Sequence, residues 1–143
     1  MTVKAILHSK GADVVTIDPT ATVGVAVKRL AERRIGALLV CGADDRVVGI
    51  VSERDIVWAL ADRGTAVLDD PVSRVMTRKV VSCSLSDHVA AIMEQMTSGK
   101  FRHVPVIEQN RLAGIISIGD VVKYRLGEME VEQAAMRDYI RTA

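Results

Sequence analysis

A short motif that combines a serine with a carboxylate occurs twice in this sequence. Residues 49–55 and residues 114–120, which lie 65 positions later, both read glycine, two apolar residues, serine, two further residues and aspartate. A serine at the start of a helix accepts hydrogen bonds from backbone N–H groups, and a helix N-terminus favours phosphate. A carboxylate one turn further on can accept both hydroxyls of a ribose. The pattern therefore predicts a nucleoside phosphate site in two copies, built on Ser52, Asp55, Ser117 and Asp120.

Each copy of the motif also has a purely structural explanation. Ser52 can be an ordinary helix cap, and Asp55 or Asp120 can occupy the first turn of a helix because the helix dipole stabilises a carboxylate there. For one copy alone, the structural role is the stronger interpretation. The glycine before the end of the strand lets a ring or a backbone approach closely. Because the whole combination occurs twice, we favour its interpretation as a binding site over the structural one.

The composition limits the class of protein. At 143 residues and 49% hydrophobic content, the chain is long enough and apolar enough to fold around a full core. The 19 Lys and Arg residues nearly balance the 18 Asp and Glu residues, which argues against a dedicated DNA-binding surface. Cys41 and Cys83 lack metal-ligand spacing and are predicted to be reduced structural thiols. Because no apolar run approaches the roughly 20 residues that span a membrane, we expect a cytoplasmic protein.

The repeat extends beyond the motif to a whole structural unit. In each copy a β-rich run, at 14–17 and at 80–83, precedes a helix whose apolar residues recur every three or four positions. Two more β-rich runs joined by a polar turn follow, and a second helix begins near Ser52 or Ser117. The order β-α-β-β-α, present twice, predicts an α/β arrangement in which each unit leaves an apolar face for the other.

The sequence divides into domains at 8–66 and 74–130, followed by a helical extension at 131–143. Residues 127–142 mix Glu, Gln and Arg with Met, Val and Ile, which predicts an amphipathic helix that continues the last helix of the second unit. We expect this helix to dock on its own chain, with binding to a partner as the alternative. Trp58, in the second helix of the first unit, is expected in the core or in a dimer contact.

The repeated segments resemble a tandem pair of CBS (cystathionine-β-synthase) domains, a Bateman module. The matching segments are 102–106 (Arg-His-Val-Pro-Val), 114–122 and 49–57, and the resemblance covers most of the chain. It implies two β-α-β-β-α repeats that pack through their sheets with pseudo-two-fold symmetry. It also implies a regulatory, non-catalytic protein similar to stand-alone bacterial CBS pairs, which binds an adenosine compound in clefts between the repeats and associates as a disc-shaped homodimer.

The resemblance assigns roles to individual residues. Asp55 and Asp120 would hold ribose hydroxyls, and Ser52 and Ser117 would touch phosphate or ribose. Because clefts in this family are built across the two units, the first strand is expected beside the Asp120 motif. The residues expected to border adenine are Thr16, Asp18, Ser82 and Ser84, and those expected beside the bases or phosphates are Gly36, Ala37, Arg54, Arg102, His103, Pro105 and Gly119.

The two copies differ where they would meet a phosphate. Residues 102–105 (Arg-His-Val-Pro) in the second unit correspond to 36–39 (Gly-Ala-Leu-Leu) in the first, so the first unit lacks both the basic pair and the proline. In return, the first motif contains Glu53, which would repel a phosphate nearby. We therefore expect the Asp120 cleft to be occupied in preference to the Asp55 cleft.

The predicted function is that of an adenine-nucleotide sensor of energy or redox state, with AMP as the first choice of ligand and ATP, ADP or NAD(H) as the others. No metal, membrane or nucleic acid is expected to bind, and the protein effector is not identified by the sequence. The alternatives are a structural dimerisation module with vestigial clefts, and binding of S-adenosylmethionine or a polynucleotide. An enzyme is the weakest alternative, because the sequence has no P-loop, no zinc spacing and no Ser/His/Asp signature.

Overall fold

The computed structural model describes residues 1–142. The predicted β-α-β-β-α order is complete in the first unit, and the second unit has all of it except the first strand. Ala143, the last residue of the predicted extension, lies outside the described residues. The helices are α1 (Val3–Lys10), α2 (Val23–Arg33), α3 (Glu53–Arg63), α4 (Val89–Gly99) and α5 (Ile118–Thr142). The strands are β1 (Thr16–Ile17), β2 (Ala37–Cys41), β3 (Val47–Ser52), β4 (His103–Glu108) and β5 (Arg111–Ser117), and short 3₁₀ turns occupy Ala43–Asp45, Gly64–Asp69 and Val72–Arg74.

The first unit is built on a three-stranded sheet. Strand β1 runs parallel to β2, and β3 runs antiparallel to β2. Because successive residues of a strand point to opposite faces, Leu38 and Val40 share one face and join the core formed with helices α2 and α3. The core residues of this unit are Ile17, Val23, Ala26, Leu30, Leu38, Val40, Val51, Ile56 and Val72.

The second face of this sheet meets the second unit. All five residues of β2 are buried, so both faces of the strand are covered. At the junction, His103 Cε1 lies 3.5 Å from the point that a Cβ atom on Gly36 would occupy. The predicted packing of two similar units through their sheets is confirmed.

The second unit contains a two-stranded antiparallel sheet, β4 with β5, and a helix that comes from the beginning of the chain. Helix α1 buries Val3, Ile6 and Leu7 in the core of this unit, and Val3 N donates to Asp87 O at 2.9 Å. The sequence pattern did not predict α1. The other core residues are Cys83, Val89, Ile92, Met96, Val104, Val106, Ile116 and Val121.

The turn at Val72–Arg74 packs on the core of the first unit, as α1 packs on the core of the second. Thr2 forms an isolated antiparallel bridge with His88, and Pro71 forms the equivalent bridge with Thr22. Each unit is therefore completed by the segment that precedes the other unit in sequence. This exchange ties the two repeats together, and it extends the repeat upstream of the predicted first strands.

The glycines of the repeated motif allow these exchanged segments to lie against β3 and β5. A Cβ atom on Gly49 would lie 2.6 Å from Met76 Sδ, and one on Gly114 would lie 2.8 Å from Leu7 Cδ1. Side chains at these positions would push the exchanged segments away from the strands. The glycine of the motif is thus explained by close packing of the protein's own segments.

The predicted strand at 80–83 is wrong for most of its length, because only Cys83 pairs, in a parallel bridge with Val106. In the first unit, Leu39 N donates to Val15 O and extends the pairing of β1 with β2. The residue equivalent to Leu39 is Pro105, which has no backbone N–H to donate. The ladder therefore stops at Cys83.

Both cysteines are buried and free, as predicted. Burial raises the pKa of Cys83 to about 12, and the nearby carboxylates Asp87 and Glu108 act in the same direction. Burial also raises the pKa of Cys41. Neither thiol is activated as a nucleophile.

Trp58 is not a core residue, since 63% of its surface is exposed, and the dimer contact stays a prediction. The C-terminal part of α5 is helical as predicted, but residues 129–142 are all exposed and do not dock on the described part of their own chain, so the expected docking is wrong. None of the helices described is both long and apolar enough to cross a membrane.

Helix α1 should stabilise the second unit. We expect Ile6→Ala to lower the free energy of unfolding by about 2–4 kcal/mol, because it removes a fully buried side chain and leaves a cavity in the core. Urea unfolding followed by circular dichroism measures the change. Lys4→Ala, at an exposed position of the same helix, is the control and should change stability by less than about 0.5 kcal/mol. Equal stability of the two variants would show that α1 is not an integral part of the core.

Candidate functional site

The first serine–aspartate motif forms a reciprocal cap at the start of α3. Asp55 N donates to Ser52 Oγ at 3.3 Å, while Ser52 N and Ser52 Oγ donate to Asp55 Oδ2 at 2.9 and 3.1 Å. Two otherwise unpaired backbone N–H groups are satisfied in this way. The structural interpretation of the motif is therefore correct, and the cap also fixes the direction of the carboxylate.

The second motif repeats this arrangement at the start of α5. Asp120 N donates to Ser117 Oγ at 3.2 Å, and Ser117 N and Ser117 Oγ donate to Asp120 Oδ2 at 2.9 and 3.0 Å. Corresponding distances in the two copies differ by no more than 0.1 Å. The two copies therefore offer a carboxylate in the same orientation, and they differ in what stands before it.

In the first copy a threonine faces the carboxylate. Thr77 Oγ1 donates to Asp55 Oδ1 at 3.1 Å, and the Thr77 backbone pairs with Ile50 through two hydrogen bonds of 2.8 and 3.0 Å. The exchanged segment between the units thus reaches the edge of the motif. A hydroxyl rotates easily, so Asp55 Oδ1 can still accept a bond from another donor.

In the second copy a lysine contacts both the carboxylate and the backbone of the preceding strand. Lys10 Nζ donates to Asp120 Oδ2 at 2.7 Å and to Ile115 O at 2.9 Å. Burial acts to raise the pKa of Asp120, but the hydrogen bonds from Lys10 and Ser117 outweigh it and hold the pKa below its ordinary value. The Asp120 carboxylate is thus ionised and already paired with a cation of its own chain.

A cavity of about 590 Å³ opens at the first motif. Ser52, Arg54 and Asp55 line it from the first unit, and Arg102 and His103 line it from the second. Its volume falls within the usual range for small-molecule sites. The cavity is built across the two units, which is the kind of cleft that the sequence resemblance implied.

Cations outnumber carboxylates around this cavity. Glu53 and Asp55 are its two carboxylates, whereas its four permanent cations are Arg54, Lys79, Lys100 and Arg102. The excess of positive charge favours an anionic ligand. The four cations therefore outweigh the negative charge of Glu53 in this cavity. Glu53 is no longer a reason to expect that a phosphate is excluded.

His103 stands between the two motifs. Its ring lies near Gly36 and Glu53 in the first unit, and the charge of Asp120 in the second unit acts to raise its pKa. Burial lowers the pKa of His103 and, with a smaller effect of Lys10, outweighs the two carboxylates that raise it. At neutral pH the ring is uncharged, so it can both donate and accept a hydrogen bond.

Part of the cavity lining is apolar. The exposed Trp58 ring stands at the rim, with the Arg54 guanidinium 5.7 Å from its centroid. Stacking of this kind holds an aromatic ring and a cation side by side. The other apolar residues of the lining are Ile50, Val57, Val80, Val81 and Phe101.

The structure brings together six of the predicted site residues in this cavity, namely Gly36, Ser52, Arg54, Asp55, Arg102 and His103. The remaining predicted residues, which lie outside its lining, are Thr16, Asp18, Ala37, Ser82, Ser84, Pro105, Ser117, Gly119 and Asp120. Asp18 instead shapes the turn before α2, because Asp18 Oδ1 accepts from Thr20 Oγ1 and Thr20 N, bonds that lower the pKa of the exposed Asp18 carboxyl. Gly119 lies in an open groove along α5.

Several lining residues were missed by sequence reasoning. Thr77 and Lys79 belong to the exchanged segment, whose equivalence with α1 is hidden by a change in repeat spacing. Lys100 follows α4 in the left-handed conformation and has no motif around it. For Trp58, the signal available was its position three residues after Asp55, on the same side of a helix.

The chain matches the family model for the CBS domain twice, at residues 3–62 and 72–127. The CBS-domain containing protein ATU1752 from Agrobacterium tumefaciens is a similar solved structure, with 52% sequence identity and a TM-score of 0.84 over 87% of this chain and 92% of that one. A second is the CBS domain protein PAE2072 from Pyrobaculum aerophilum complexed with AMP, with 30% identity and a TM-score of 0.74 over 84% and 89% of the two chains.

A third similar structure is the CBS domain pair of the protein MJ0100 in complex with 5′-methylthioadenosine and S-adenosyl-L-methionine, with 25% identity and a TM-score of 0.79 over 90% of this chain and 98% of that one. Among curated relatives, a 17.7 kDa protein of Acidianus ambivalens is 37% identical over 111 residues, which are 77% of this chain and 66% of the relative. The chain spans only 23% of CBSCBSPB1 of Arabidopsis thaliana. With two matched repeats and the fold of a CBS pair, the chain belongs to the CBS domain family.

Proposed function

We propose that this protein is a non-catalytic regulatory module that binds an adenosine nucleotide in the cavity beside Asp55. The observation that carries the proposal is the meeting, in one cavity, of an oriented carboxylate with four cations from both units. A ribose and a phosphate need these two kinds of partner at a short separation. Similar CBS pairs hold AMP, or 5′-methylthioadenosine and S-adenosyl-L-methionine, in their solved structures.

Each part of the nucleotide has a partner in the cavity. Asp55 Oδ1 would accept from a ribose hydroxyl once the Thr77 hydroxyl turns aside. Lys79, Lys100 and Arg102 would surround the phosphate, where charge-assisted hydrogen bonds are strong. The apolar part of the lining, which includes Trp58, would receive the adenine ring, which offers flat faces for stacking.

The charge of the cavity supports a phosphate-bearing ligand over S-adenosylmethionine. A sulfonium carries a positive charge, which the excess of Arg and Lys side chains would repel. AMP is the first candidate, and ATP, ADP or NAD(H) would need space for more phosphate at the open side. No group of three or more His, Cys, Asp or Glu side chains within residues 1–142 could hold a metal ion.

The Asp120 cleft would be the weaker site. Lys10 neutralises its carboxylate through a charge-assisted bond of 2.7 Å to Asp120 Oδ2, so a ribose hydroxyl would meet an acceptor of reduced charge. This reverses the preference that the sequence suggested, because the sequence did not reveal the position of Lys10. The proposal therefore assigns the first ligand to the cleft that contains Glu53.

The regulatory part of the proposal requires a partner that reads the bound state. The CBS domain is the family that matches, and it points to regulation and not to a chemical step. A homodimer is part of the proposal, with exposed apolar residues of α3 and α5, such as Val57, Trp58 and Val122, available for contact. The effector is a protein of unassigned identity.

The first test concerns the carboxylate. We expect AMP to raise the thermal stability of the wild-type protein, since a ligand at about 100 times its Kd adds about 2.7 kcal/mol. Asp55→Asn should weaken AMP binding by about 10- to 100-fold, because it removes a charged acceptor while retaining an oxygen for the helix cap. Isothermal titration calorimetry measures the affinity. Asp120→Asn is the matched control and should leave this binding event intact; the opposite ranking of the two variants would move the ligand to the Asp120 cleft.

The second test concerns the phosphate. The double variant Lys79→Met/Lys100→Met should bind AMP about 10-fold more weakly and adenosine with unchanged affinity, because only the phosphate contacts are removed. Equilibrium binding at two ionic strengths measures both ligands. Lys28→Met, a lysine of α2 outside the cavity, is the control. Equal losses for AMP and adenosine would argue against phosphate recognition by these lysines.

The third test concerns the lysine at the second cleft. Lys10→Met should lower the free energy of unfolding at pH 7 by about 1–2 kcal/mol, because the ionised Asp120 loses its partner. Since the folded pKa of Asp120 is depressed, this contribution is fully present above the ordinary pKa of 3.8 and disappears as the pH falls through the folded value. Urea unfolding at pH 7 and near pH 2 compares the two proteins.

The same variant should bind a second AMP. With Lys10 removed, the Asp120 carboxylate is no longer neutralised and becomes a stronger acceptor for a ribose, so titration of Lys10→Met should show a second binding event per chain or a stronger one than in the wild type. Lys4→Met, on the exposed side of α1, is the control. A single unchanged event in Lys10→Met would mean that Lys10 is not what weakens the second cleft.

A further inference from the structure

Helix α5 continues well beyond the unit to which it belongs. Val121 is fully buried in the core of the second unit, and Tyr124 packs against that core. Beyond residue 128 every described residue of the helix is exposed. A segment of this length, without tertiary contacts, is only marginally stable as a helix in water. The exposed end of α5 therefore requires a partner.

Six exposed residues of α5, five of them apolar, recur with alternating spacings of four and three. Three further exposed apolar residues of the helix, Ile118, Val131 and Tyr139, lie outside this series. This heptad pattern brings one side chain to the same stripe of the helix on every turn and is the signature of a two-stranded coiled coil. Five of the six stripe residues are apolar, and those five are among the exposed large hydrophobic side chains of the chain. The stripe consists of Val122, Leu126, Met129, Gln133, Met136 and Ile140.

We propose that α5 pairs with α5 of a second copy of this chain as a parallel two-stranded coiled coil through this stripe. This pairing is independent of the nucleotide site. It rests on the homodimer proposed above, to which it gives a geometry. In heptad terms Leu126, Gln133 and Ile140 occupy a positions, and Val122, Met129 and Met136 occupy d positions.

The charges that flank the stripe identify the second copy as the partner. In a parallel coiled coil each g residue faces the e residue five positions later on the other helix. Arg125 then faces Glu130 of the other copy, and Glu132 faces Arg137. Both pairs join opposite charges, and the two-fold symmetry of the dimer makes four such pairs.

An antiparallel pairing of the same stripe brings like charges together. With Leu126 aligned against Met136 of the other copy, e residues face e residues and g residues face g residues. Glu130 then meets its own equivalent, and so does Glu132. Lys123 meets Arg137. The charge pattern thus favours the parallel arrangement and disfavours the reverse one.

The polar member of the stripe supports the same arrangement. Gln133 lies at the central a position, where in a parallel dimer it faces its own equivalent and can form a side-chain hydrogen bond with it. A polar residue at a single a position fixes register at some cost in stability. In the antiparallel alignment Gln133 would face Met129 and bury its amide without a partner.

The stripe is also continuous with an apolar groove on the body of the protein. The groove runs along the first turns of α5 and is lined by Ile118, Val122 and Leu126 among others. The coiled coil would begin at this groove, so the two modules would lie side by side with their α5 helices pointing in the same direction.

Charge reversal tests the pairing. In the full-length protein, Glu132→Arg should weaken the dimer about tenfold, because it sets two arginines against each other at two symmetric positions. The double variant Glu132→Arg/Arg137→Glu should restore the wild-type Kd, since it exchanges the two charges. Sedimentation equilibrium measures the Kd. Both positions are exposed, and circular dichroism checks that the variants fold.

Cysteine cross-linking tests the direction of the helices. Met136→Cys should oxidise to a covalent dimer, because identical d positions face each other only in the parallel pairing. A mixture of Leu126→Cys and Met136→Cys proteins should not form the mixed disulfide, which the antiparallel pairing would favour. The wild-type protein, with its two buried cysteines, is the control.

The results of these experiments distinguish failure of the coiled coil from failure of the homodimer or of the nucleotide site. A wild-type protein that is monomeric at all concentrations would overturn both the coiled coil and the homodimer, and would point to a helix of another protein on the stripe. A dimer that persists in Glu132→Arg and does not cross-link through Met136→Cys would overturn the coiled coil alone. AMP binding, measured on the same samples, reports on the cavity independently of either result.

Discussion

The reciprocal bond between a serine and the aspartate three residues later is the interaction on which this structure depends. It ends a strand, starts a helix and fixes the direction of a carboxylate in one step, and it does so at Ser52–Asp55 and at Ser117–Asp120 with nearly identical distances. The structural and the functional interpretations of the motif are therefore not alternatives. One carboxylate oxygen completes the helix cap, and this commitment is what presents the other oxygen to a ligand.

Because both copies share this scaffold, their difference lies in the segment that crosses in front of the carboxylate. Each unit borrows that segment from the start of the other repeat. In one copy it supplies the Thr77 hydroxyl, which competes weakly for Asp55, and in the other it supplies the Lys10 ammonium, which neutralises Asp120. The two carboxylates are thus unequal because the segment in front of each supplies a different donor, a hydroxyl at Asp55 and an ammonium at Asp120.

Much of the fold was predictable because its signals are local and duplicated. The spacing of apolar residues identified α2 and α4, and the repeated motif located the starts of α3 and α5. The failures are long-range. The strand at 80–83 depends on a donor that Pro105 lacks, and α1 is defined by a core that lies some 80 residues later in the chain. Only six of the sixteen residues that line the cavity were predicted, because others, such as Lys79 and Lys100, reach it only through the tertiary fold.

Helix α5 joins the two parts of the molecule that the proposals concern. Its first turn contains Asp120, held by Lys10, and its far end carries the stripe that we assign to a second copy. A straight helix of this length extends about 37 Å and transmits a tilt at one end to the other. A nucleotide that displaced Lys10 would therefore act on the same helix whose far end we propose to pair with a second copy. Asp55 lies in the first turn of α3 and not of α5, so a ligand in the first cavity would not act directly on the helix of the proposed dimer. The two sites would therefore differ in their effect on the dimer as well as in their affinity for the ligand.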